Sequence, residues 1–296
     1  MSYQEQLQQE GKIWGEAFAR LSHETPPEWA FYRQRLEYLY THRPAIDALL
    51  ATIRPGTAVL ELGCGSGWLT LALAQAGADA HGIDISKQAL AIAQAYYESI
   101  RESVPGTVRY TCADLNTLQL PAASYDLIVI KGTLHHLPEV PHVIAQVQAA
   151  LKPGGRVWIQ DVQGDEHPRT VLVASALMFL LPTHISYGEK LRGLWRFRHN
   201  PTERIRMSMQ AEGLSPFEGV GRHHNWLALV QSAFPNASVQ RGLSITGYLS
   251  HQLRMPHRFA VLTLWIIARI DSVLTRWGWL HTTNITVTAH APNAST

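Results

Sequence analysis

VLELGCGSGW, residues 59–68, is the stretch of sequence that decides the fold of this chain. An apolar run ends in Glu61, and three glycines then follow at alternate positions, Gly63, Gly65 and Gly67, before an amphipathic segment begins. This order predicts a strand, a tight loop and a helix, because glycines allow tight turns and let a ligand approach bare backbone near a helix N-terminus. The dinucleotide-binding fingerprint differs, since two residues precede its third glycine.

Polar residues also follow the next two predicted strands. The stretch AHGID, residues 80–84, ends in Asp84, about 20 positions after the glycines, where a carboxylate can accept hydrogen bonds from both ribose hydroxyls of an adenosine ligand. The stretch VRYTC, residues 108–112, leads to Asp114. Each carboxylate also has a purely structural interpretation, as a cap or turn residue for Asp84 and as a loop residue for Asp114.

The later part of this region continues to alternate strands with helices. The run YDLIVIK, residues 125–131, is almost continuously apolar, as expected of a central parallel strand that is covered on both faces. A helix over residues 140–151 stops at LKPGG, residues 151–155, which turns into a fifth strand. A sixth strand is predicted over residues 237–240, and the alternation in residues 284–289 predicts a last, antiparallel strand at a sheet edge.

The motifs between residues 55 and 162 resemble, in their order and chemistry, those of class I S-adenosylmethionine-dependent methyltransferases, in particular the small-molecule enzymes of the methyltransferase type 11/12-like family. The resemblance implies an α/β fold with a doubly wound, Rossmann-like sheet of seven strands. This sheet is expected to be mostly parallel with the last strand antiparallel, and to carry helical lid insertions. The resemblance also implies S-adenosyl-L-methionine as the cofactor.

The same resemblance assigns cofactor-binding residues position by position. Those expected at the methionine end are Glu61, Gly63, Cys64, Gly65 and Gly67. Those expected at the ribose and adenine are Asp84, Ile85, Ala113, Asp114 and Leu115, with a main-chain contact from Lys131 and an extension to His136. Lys131 departs from the family, where a small or polar residue is frequent, and its side chain is expected to point either toward the acceptor or to solvent.

Two adjacent histidines, His135 and His136, are the candidates for catalysis. Methyl transfer from a sulfonium needs mainly alignment, but an oxygen nucleophile generally needs a base, and histidine suits that role near neutral pH. Both follow the fourth strand at the carboxyl edge, where ligands bind in open α/β sheets. In many relatives a similar run only shapes the cofactor pocket, so this alternative stays open. Further candidates in the predicted lid are His23, Tyr32, His223 and His224.

The chain divides into four predicted segments. Residues 1–43 are expected to form an N-terminal helical lid, and residues 44–164 the cofactor-binding Rossmann-like core. Residues 165–222 are a predicted lid or substrate insertion. Residues 223–296 are expected to complete the core, with a further helical insertion at about 244–281.

Composition favours a cytoplasmic enzyme. The 296 residues are 46% hydrophobic, which suits one large core or a core with a cap. The two cysteines provide no disulfide framework, the N-terminus lacks the apolar region of a signal peptide, and no uncharged stretch is long enough to span a bilayer. No set of carboxylates at metal-ligand spacing follows the fourth strand, so we expect no metal ion.

Charge is uneven along the chain, although the net charge is only +2. Residues 1–188 contain 13 basic and 18 acidic residues, whereas residues 189–296 contain 12 and 5. The densest basic segment, residues 190–206, is expected to recognise an anionic or amphipathic small-molecule substrate, to make a peripheral contact with an acidic membrane surface, or to be an ordinary solvated face. Nucleic-acid binding is disfavoured, because overall basicity is slight and no stacking motif is present.

These observations predict an S-adenosylmethionine-dependent methyltransferase with a small-molecule acceptor. Oxygen is the favoured acceptor atom, in a glycan, lipid or secondary-metabolite precursor, while carbon and nitrogen acceptors stay open. Two competing interpretations belong to other classes of protein. One is a non-catalytic S-adenosylmethionine-binding scaffold or regulator, and the other is a nicotinamide-dependent oxidoreductase.

Overall fold

A computed structural model describes residues 2–22, 36, 38–164, 167–196 and 225–292 of the chain. The strands of these ranges are β1 (Ala58–Leu62), β2 (Asp79–Asp84), β3 (Thr107–Cys112), β4 (Tyr125–Lys131), β5 (Leu151–Val162), β6 (Ser238–Arg241) and β7 (Asn284–His290). They form one sheet in the order β3-β2-β1-β4-β5-β7-β6. Strands β1 to β5 run parallel, and β7 runs antiparallel to both of its neighbours. The predicted seven-stranded sheet with an antiparallel last strand is therefore confirmed.

The predicted edge position of the last strand is wrong. Strand β7 lies between β5 and β6, and its residues Val287 and Ala289 are fully buried. The polar position Thr286 faces a cavity rather than bulk solvent, and its Oγ1 accepts a hydrogen bond from Gln160 Nε2 at 3.4 Å. In β7, the alternation of apolar and polar residues therefore reflects an apolar core on one face and a cavity on the other. Strand β6 occupies the edge of the sheet.

Strand β5 begins earlier than the sequence predicted. Leu151 already pairs with Tyr125, and the register then shifts before Arg156 pairs with Leu127. The LKPGG segment is thus the irregular start of the strand rather than a separate turn. Gly154 has a φ of +72° within it, a left-handed conformation that favours glycine.

Helices cover both faces of the sheet. Within the described ranges they are α1 (Tyr3–Ser22), α2 (Arg43–Leu50), α3 (Trp68–Gln75), α4 (Lys87–Ile100), α5 (Val140–Ala150), α6 (Pro168–Leu180), α7 (Tyr187–Arg196), α8 (Trp226–Ala233), α9 (Ile245–Gln252) and α10 (His257–Arg276). Apolar side chains of α2 and α3 pack on one face, and those of α5 and α8 pack on the other. The apolar run of β4 is buried between these layers, which is the arrangement expected of a central parallel strand.

Helices α6, α9 and α10 share a separate apolar cluster. Its members include Ala174, Leu249, Leu264 and Leu280. Most of the cluster lies within the two regions that the sequence predicts as insertions, and Leu36 joins it from the N-terminal segment; residues 165–166 and 197–224 fall outside the described ranges. The division of the chain into a core and lid segments stays a prediction.

Candidate cofactor and active site

A cleft opens at the carboxyl ends of β1, β2 and β4, next to the point where the strand order reverses between β1 and β4. Open α/β sheets bind ligands at this topological switch point. The glycine loop after β1 and the loops after β2, β3 and β4 supply most of its walls, and α1 covers it. The lining residues are Leu7, Glu10, Trp14, Phe18, Glu61, Gly63, Cys64, Gly65, Trp68, Asp84, Ile85, Asp114, Leu115, Asn116, Lys131, Gly132, Thr133, His136 and Leu137.

The glycine loop adopts a backbone that only glycine accommodates easily. Gly63, Gly65 and Gly67 have φ values of +75°, +53° and +73°, all in the left-handed region. The N–H groups of Gly63 and Cys64 both donate to the carbonyl of Ile83, at 2.8 and 3.1 Å, which fixes the loop against the end of β2. Gly67 does not line the cleft, because it caps α3 and packs against Tyr110.

Asp84 ties the glycine loop to the second strand. Its Oδ2 accepts a hydrogen bond from the Gly65 N–H at 2.8 Å, and its Oδ1 accepts one from the Ser86 N–H, also at 2.8 Å. Burial raises the pKa of this carboxyl group, and the backbone N–H groups offset part of that effect. Asp84 therefore serves a structural role in the loop while its carboxylate faces the cleft.

Glu61 is a buried acid at the floor of the cleft. Burial raises its pKa to about 8, although a hydrogen bond from Thr70 Oγ1 and the nearby Lys131 ammonium both favour the ionised form. Lys131 is itself buried, with Nζ 5.9 Å from the centroid of the Trp68 ring. Its side chain lines the cleft, so the alternative that it points to solvent is wrong.

The loop after β3 places a second carboxylate across the cleft. Asp114 Oδ2 accepts a hydrogen bond from the hydroxyl of Tyr3 at 2.8 Å, and its Oδ1 accepts bonds from the main chain and side chain of Asn116, both at 2.9 Å. Burial, together with this contact to Asp114, raises the pKa of Tyr3. Leu115 and Ile85 line the cleft beside Asp114, whereas Ala113 does not, since it packs toward the apolar core.

The two predicted catalytic histidines occupy different environments. His136 lines the cleft, with Nδ1 3.7 Å from Glu10 Oε1 and its ring edge-on to Trp14. His135 does not line the cleft, and its Nδ1 lies 2.5 Å from Oδ1 of Asp161. The two imidazole rings are adjacent, with centroids 3.9 Å apart.

Asp161 is a candidate functional residue that sequence reasoning missed. Its two oxygens accept hydrogen bonds from the N–H groups of Thr133, Leu134 and Val162, at 2.9, 2.6 and 2.6 Å, as well as contacting His135. Burial alone would raise the pKa of this carboxyl group, but the His135 imidazole and the backbone donor of Val162 lower it. Because the ionised carboxylate only accepts, the neutral form of the His135 ring donates from Nδ1 and has its lone pair on Nε2.

Helix α1 contributes a wall that the sequence indicated only as part of a lid. The ring of Phe18 packs directly against Gly65, and the carbonyl of Gly11 accepts a hydrogen bond from Ser86 Oγ at 2.7 Å. Glu10 is buried in the cleft, where its Oε1 accepts a hydrogen bond from Trp14 Nε1 at 2.8 Å. The remaining lid candidates, His23, Tyr32, His223 and His224, lie outside the described residues.

A second cavity of about 910 Å³ lies one strand away from the cleft. Gln160 lines it and pairs across the sheet with Lys131 of the first cleft, so both side chains project from the same face. Its walls also include Tyr40, Arg241 and Arg276. Nδ1 of His42 lies 3.1 Å from Gln160 Oε1, and this contact joins the segment before α2 to the sheet.

Comparisons with known proteins agree with this geometry. Residues 59–155 match a family model described as a methyltransferase domain. The chain is 32% identical over 197 residues to the ubiquinone biosynthesis O-methyltransferase of Bordetella avium, a match covering 64% of this chain and 75% of the relative. For the protein of the same name from Acinetobacter baylyi, the identity is 29%, with 67% and 77% covered. The protein of the same name from Coxiella burnetii is 30% identical, and the match covers 46% of this chain and 58% of that protein.

A solved structure shows the same fold. A crystal structure described as a possible exported protein from Bordetella parapertussis matches with a TM-score of 0.51 at 18% identity, over 94% of this chain and 79% of that one. The chain belongs to the class I S-adenosylmethionine-dependent methyltransferases. It is an enzyme that uses S-adenosylmethionine as its cofactor, and the corresponding sequence prediction is confirmed.

Proposed function

We propose that this enzyme transfers the methyl group to a hydroxyl oxygen of a small-molecule acceptor. The observation that carries the proposal is the His135–Asp161 pair beside the cofactor cleft, since a carboxylate that holds one imidazole nitrogen presents the other as a base. The relatives named as ubiquinone biosynthesis O-methyltransferases support oxygen as the acceptor atom. Carbon and nitrogen acceptors are the competing assignments.

The cleft suits a cationic cofactor. Four acidic residues line it, Glu10, Glu61, Asp84 and Asp114, against the single ammonium of Lys131. S-adenosylmethionine has a sulfonium and an ammonium group, and it supplies the methyl group for transfer. We assign Glu61, Gly63, Cys64 and Gly65 to its methionine end, with Gly67 shaping the loop from behind. Asp84 and Ile85 are assigned to the ribose and adenine, Ala113, Asp114 and Leu115 to the adenine, and Lys131 and His136 to the adjoining walls.

His135 is the proposed general base, because its side chain is 14% exposed and its ring lies against that of His136 at the edge of the cleft. A hydroxyl acceptor would give its proton to Nε2 as the oxygen attacks, and the positive charge gained by the ring would be stabilised by the Asp161 carboxylate. Asp161 is then a positioning residue, since it holds the ring and the turn that carries it. His136, in contact with Trp14 and near Glu10, is proposed to shape the cofactor side of the cleft.

The second cavity is proposed to hold the part of the acceptor that is distant from its reacting hydroxyl, because neither His135 nor Asp161 lines this cavity. It adjoins the cleft through the neighbouring residues Lys131 and Gln160. Arg241 and Arg276 supply positive charge to a wall that also contains Tyr40 and Leu280. This combination supports an acceptor with an anionic group and an apolar portion, and it comes from residues outside the basic segment 190–206.

The acceptor atom can be tested directly. Purified enzyme and methyl-labelled S-adenosylmethionine would be incubated with matched phenols, aliphatic alcohols, amines and carbon acids, and products would be examined by mass spectrometry and carbon NMR. We expect label only in methyl groups with the chemical shift of an O-methyl carbon. Label confined to N-methyl or C-methyl products would contradict the proposal.

The raised pKa of Glu61 predicts pH-dependent cofactor binding. At neutral pH the free carboxyl group is mostly protonated, and the positive cofactor favours its ionised form, so binding releases a proton. Between pH 6 and pH 7 we expect affinity for S-adenosylmethionine to rise by up to about tenfold, the limit reached when one whole proton is released per molecule bound. Isothermal titration calorimetry at the two pH values measures the change.

Two variants control the Glu61 prediction. Glu61→Gln should remove most of the pH dependence, because the amide does not titrate. Glu98→Gln on the exposed face of α4 should retain it. An equal slope in the Glu61→Gln variant would show that another group releases the proton.

A further inference from the structure

Helix α10 has an apolar outer face that is exposed along its whole length. The side chains on this face lie at spacings of three and four residues, and each is between 43 and 78% exposed; we call this set the outer stripe. They are Phe259, Leu262, Ile266, Ile270, Val273 and Trp277. At 20 residues the helix is about 30 Å long, so the stripe extends over a considerable distance. A continuous apolar patch of this kind marks an interaction surface.

The rotation of α10 about its axis is fixed by the opposite face. Ala260, Leu264 and Ile267 pack into the apolar cluster shared with α6 and α9. Asp271 is fully buried and accepts hydrogen bonds from the N–H groups of Ser244, Ile245 and Thr246, at 3.0, 2.9 and 2.9 Å, at the start of α9. The helix cannot roll its stripe inward without breaking these bonds, so they hold the stripe in its outward orientation.

Positive charge runs along one flank of the stripe. Arg258 and Arg269 are exposed and, at 100° per residue, fall on the same side of the helix; we call them the arginine row. Arg269 lies over the ring of Trp265, with its guanidinium carbon 5.3 Å from the ring centroid. The only acidic residue of α10 is the buried Asp271, so the helix offers these arginines no exposed carboxylate.

Tryptophans mark the end of the helix. Trp277 and Trp279 are exposed on either side of Gly278, whose φ of +72° turns the chain at the helix C-terminus. Tryptophan is the residue type that concentrates at the boundary between lipid headgroups and hydrocarbon. Within the described residues, no helix is long and apolar enough to cross a membrane. The combination of an apolar stripe, a basic flank and exposed tryptophans is typical of a helix that lies in the plane of a membrane surface.

We propose that α10 docks the enzyme on the surface of an anionic lipid bilayer, with the outer stripe among the acyl chains and the arginine row at the lipid phosphates. A lipid surface is favoured over a second copy of the chain because antiparallel pairing of two such stripes brings like-charged arginine rows together. The docking surface is separate from the cofactor cleft and does not depend on which acceptor atom is methylated.

Vesicle co-sedimentation tests the docking surface. The probes are vesicles of phosphatidylcholine alone and vesicles that also contain phosphatidylglycerol, and the wild-type enzyme is expected to bind the anionic vesicles at least tenfold more tightly. The triple variant Leu262→Gln, Ile266→Gln, Ile270→Gln should lose at least tenfold in binding, while its outward positions leave the fold and cofactor affinity intact. The variant Arg258→Gln, Arg269→Gln should lose the preference for anionic vesicles, and Arg258→Lys, Arg269→Lys should keep it.

A matched control uses exposed leucines outside α10. The triple variant Leu172→Gln, Leu180→Gln, Leu191→Gln changes exposed positions of α6 and α7 and should keep vesicle binding. Equal loss in this control, or no binding by the wild-type enzyme, would overturn the proposal. Size-exclusion chromatography with light scattering provides the other test, since a wild-type dimer that the α10 variant dissociates would assign the stripe to a second copy of the chain.

Discussion

Replacing Asp84 with alanine is expected to abolish S-adenosylmethionine binding. The carboxylate is proposed to hold the ribose hydroxyls, and it also accepts hydrogen bonds from the N–H groups of Gly65 and Ser86. Hydrogen bonds to a charged group contribute about 1.5–3 kcal/mol each. Loss of the two proposed bonds to the ribose hydroxyls therefore weakens cofactor binding by roughly 3–6 kcal/mol, or on the order of a hundredfold to ten-thousandfold. Isothermal titration calorimetry with S-adenosylmethionine and S-adenosylhomocysteine measures the effect.

Asp79 provides a matched control for Asp84. It lies at the opposite end of the same strand, where it is exposed and accepts a hydrogen bond from Thr107 Oγ1 at 2.9 Å. Asp79→Ala should bind the cofactor normally, and circular dichroism should show a folded sheet in both variants. Near wild-type affinity in Asp84→Ala would mean that the carboxylate acts only within the loop.

Replacing His135 is expected to have the largest effect on turnover. General-base catalysis contributes about a hundredfold to ten-thousandfold to rate, so His135→Ala should lower kcat by about that factor. Cofactor affinity should change little, because His135 does not line the cleft. His136→Ala should show the reverse pattern, with weaker cofactor binding and a smaller change in kcat, since His136 lines the cleft. Initial rates of methyl transfer to an acceptor that the wild-type enzyme methylates, together with calorimetry, separate the two effects.

Asp161→Asn examines the positioning role separately. The amide cannot act as acceptor for both the imidazole and the backbone N–H groups, so kcat should fall while the acceptor KM changes less. His290→Ala is the control, because His290 is exposed at the end of β7 that pairs with the start of β5. Equal turnover in the wild-type enzyme and in His135→Ala would remove His135 from the mechanism.

Several residues that line the cleft could be predicted because they follow strands directly. Glu61, Asp84 and Lys131 each lie at or next to the carboxyl end of a parallel strand, and such ends meet at one edge of the sheet. Two residues that were predicted to bind the cofactor do not line the cleft, and they show the limit of the prediction. Gly67 and Ala113 belong to the right loops, yet a loop position does not determine whether a residue faces the ligand or the core.

The partners of the histidine pair could not be predicted. Asp161 is 26 residues from His135, and Glu10 is more than 120 residues from His136, so no local pattern links them. The insertion of β7 between β5 and β6 was missed for the same reason, because its alternation is equally compatible with solvent or with a cavity on one face.

The amino-acid sequence alone determined the order of strands and helices, the glycine loop and the carboxylates that follow the strands, because each depends on local composition and on the alternation of parallel strands with helices. Only the tertiary structure decided which side chains meet: Asp161 with His135, α1 over the cleft and the outward direction of the stripe on α10. These arrangements result from packing between segments that are distant in sequence, and a linear pattern carries no record of such contacts.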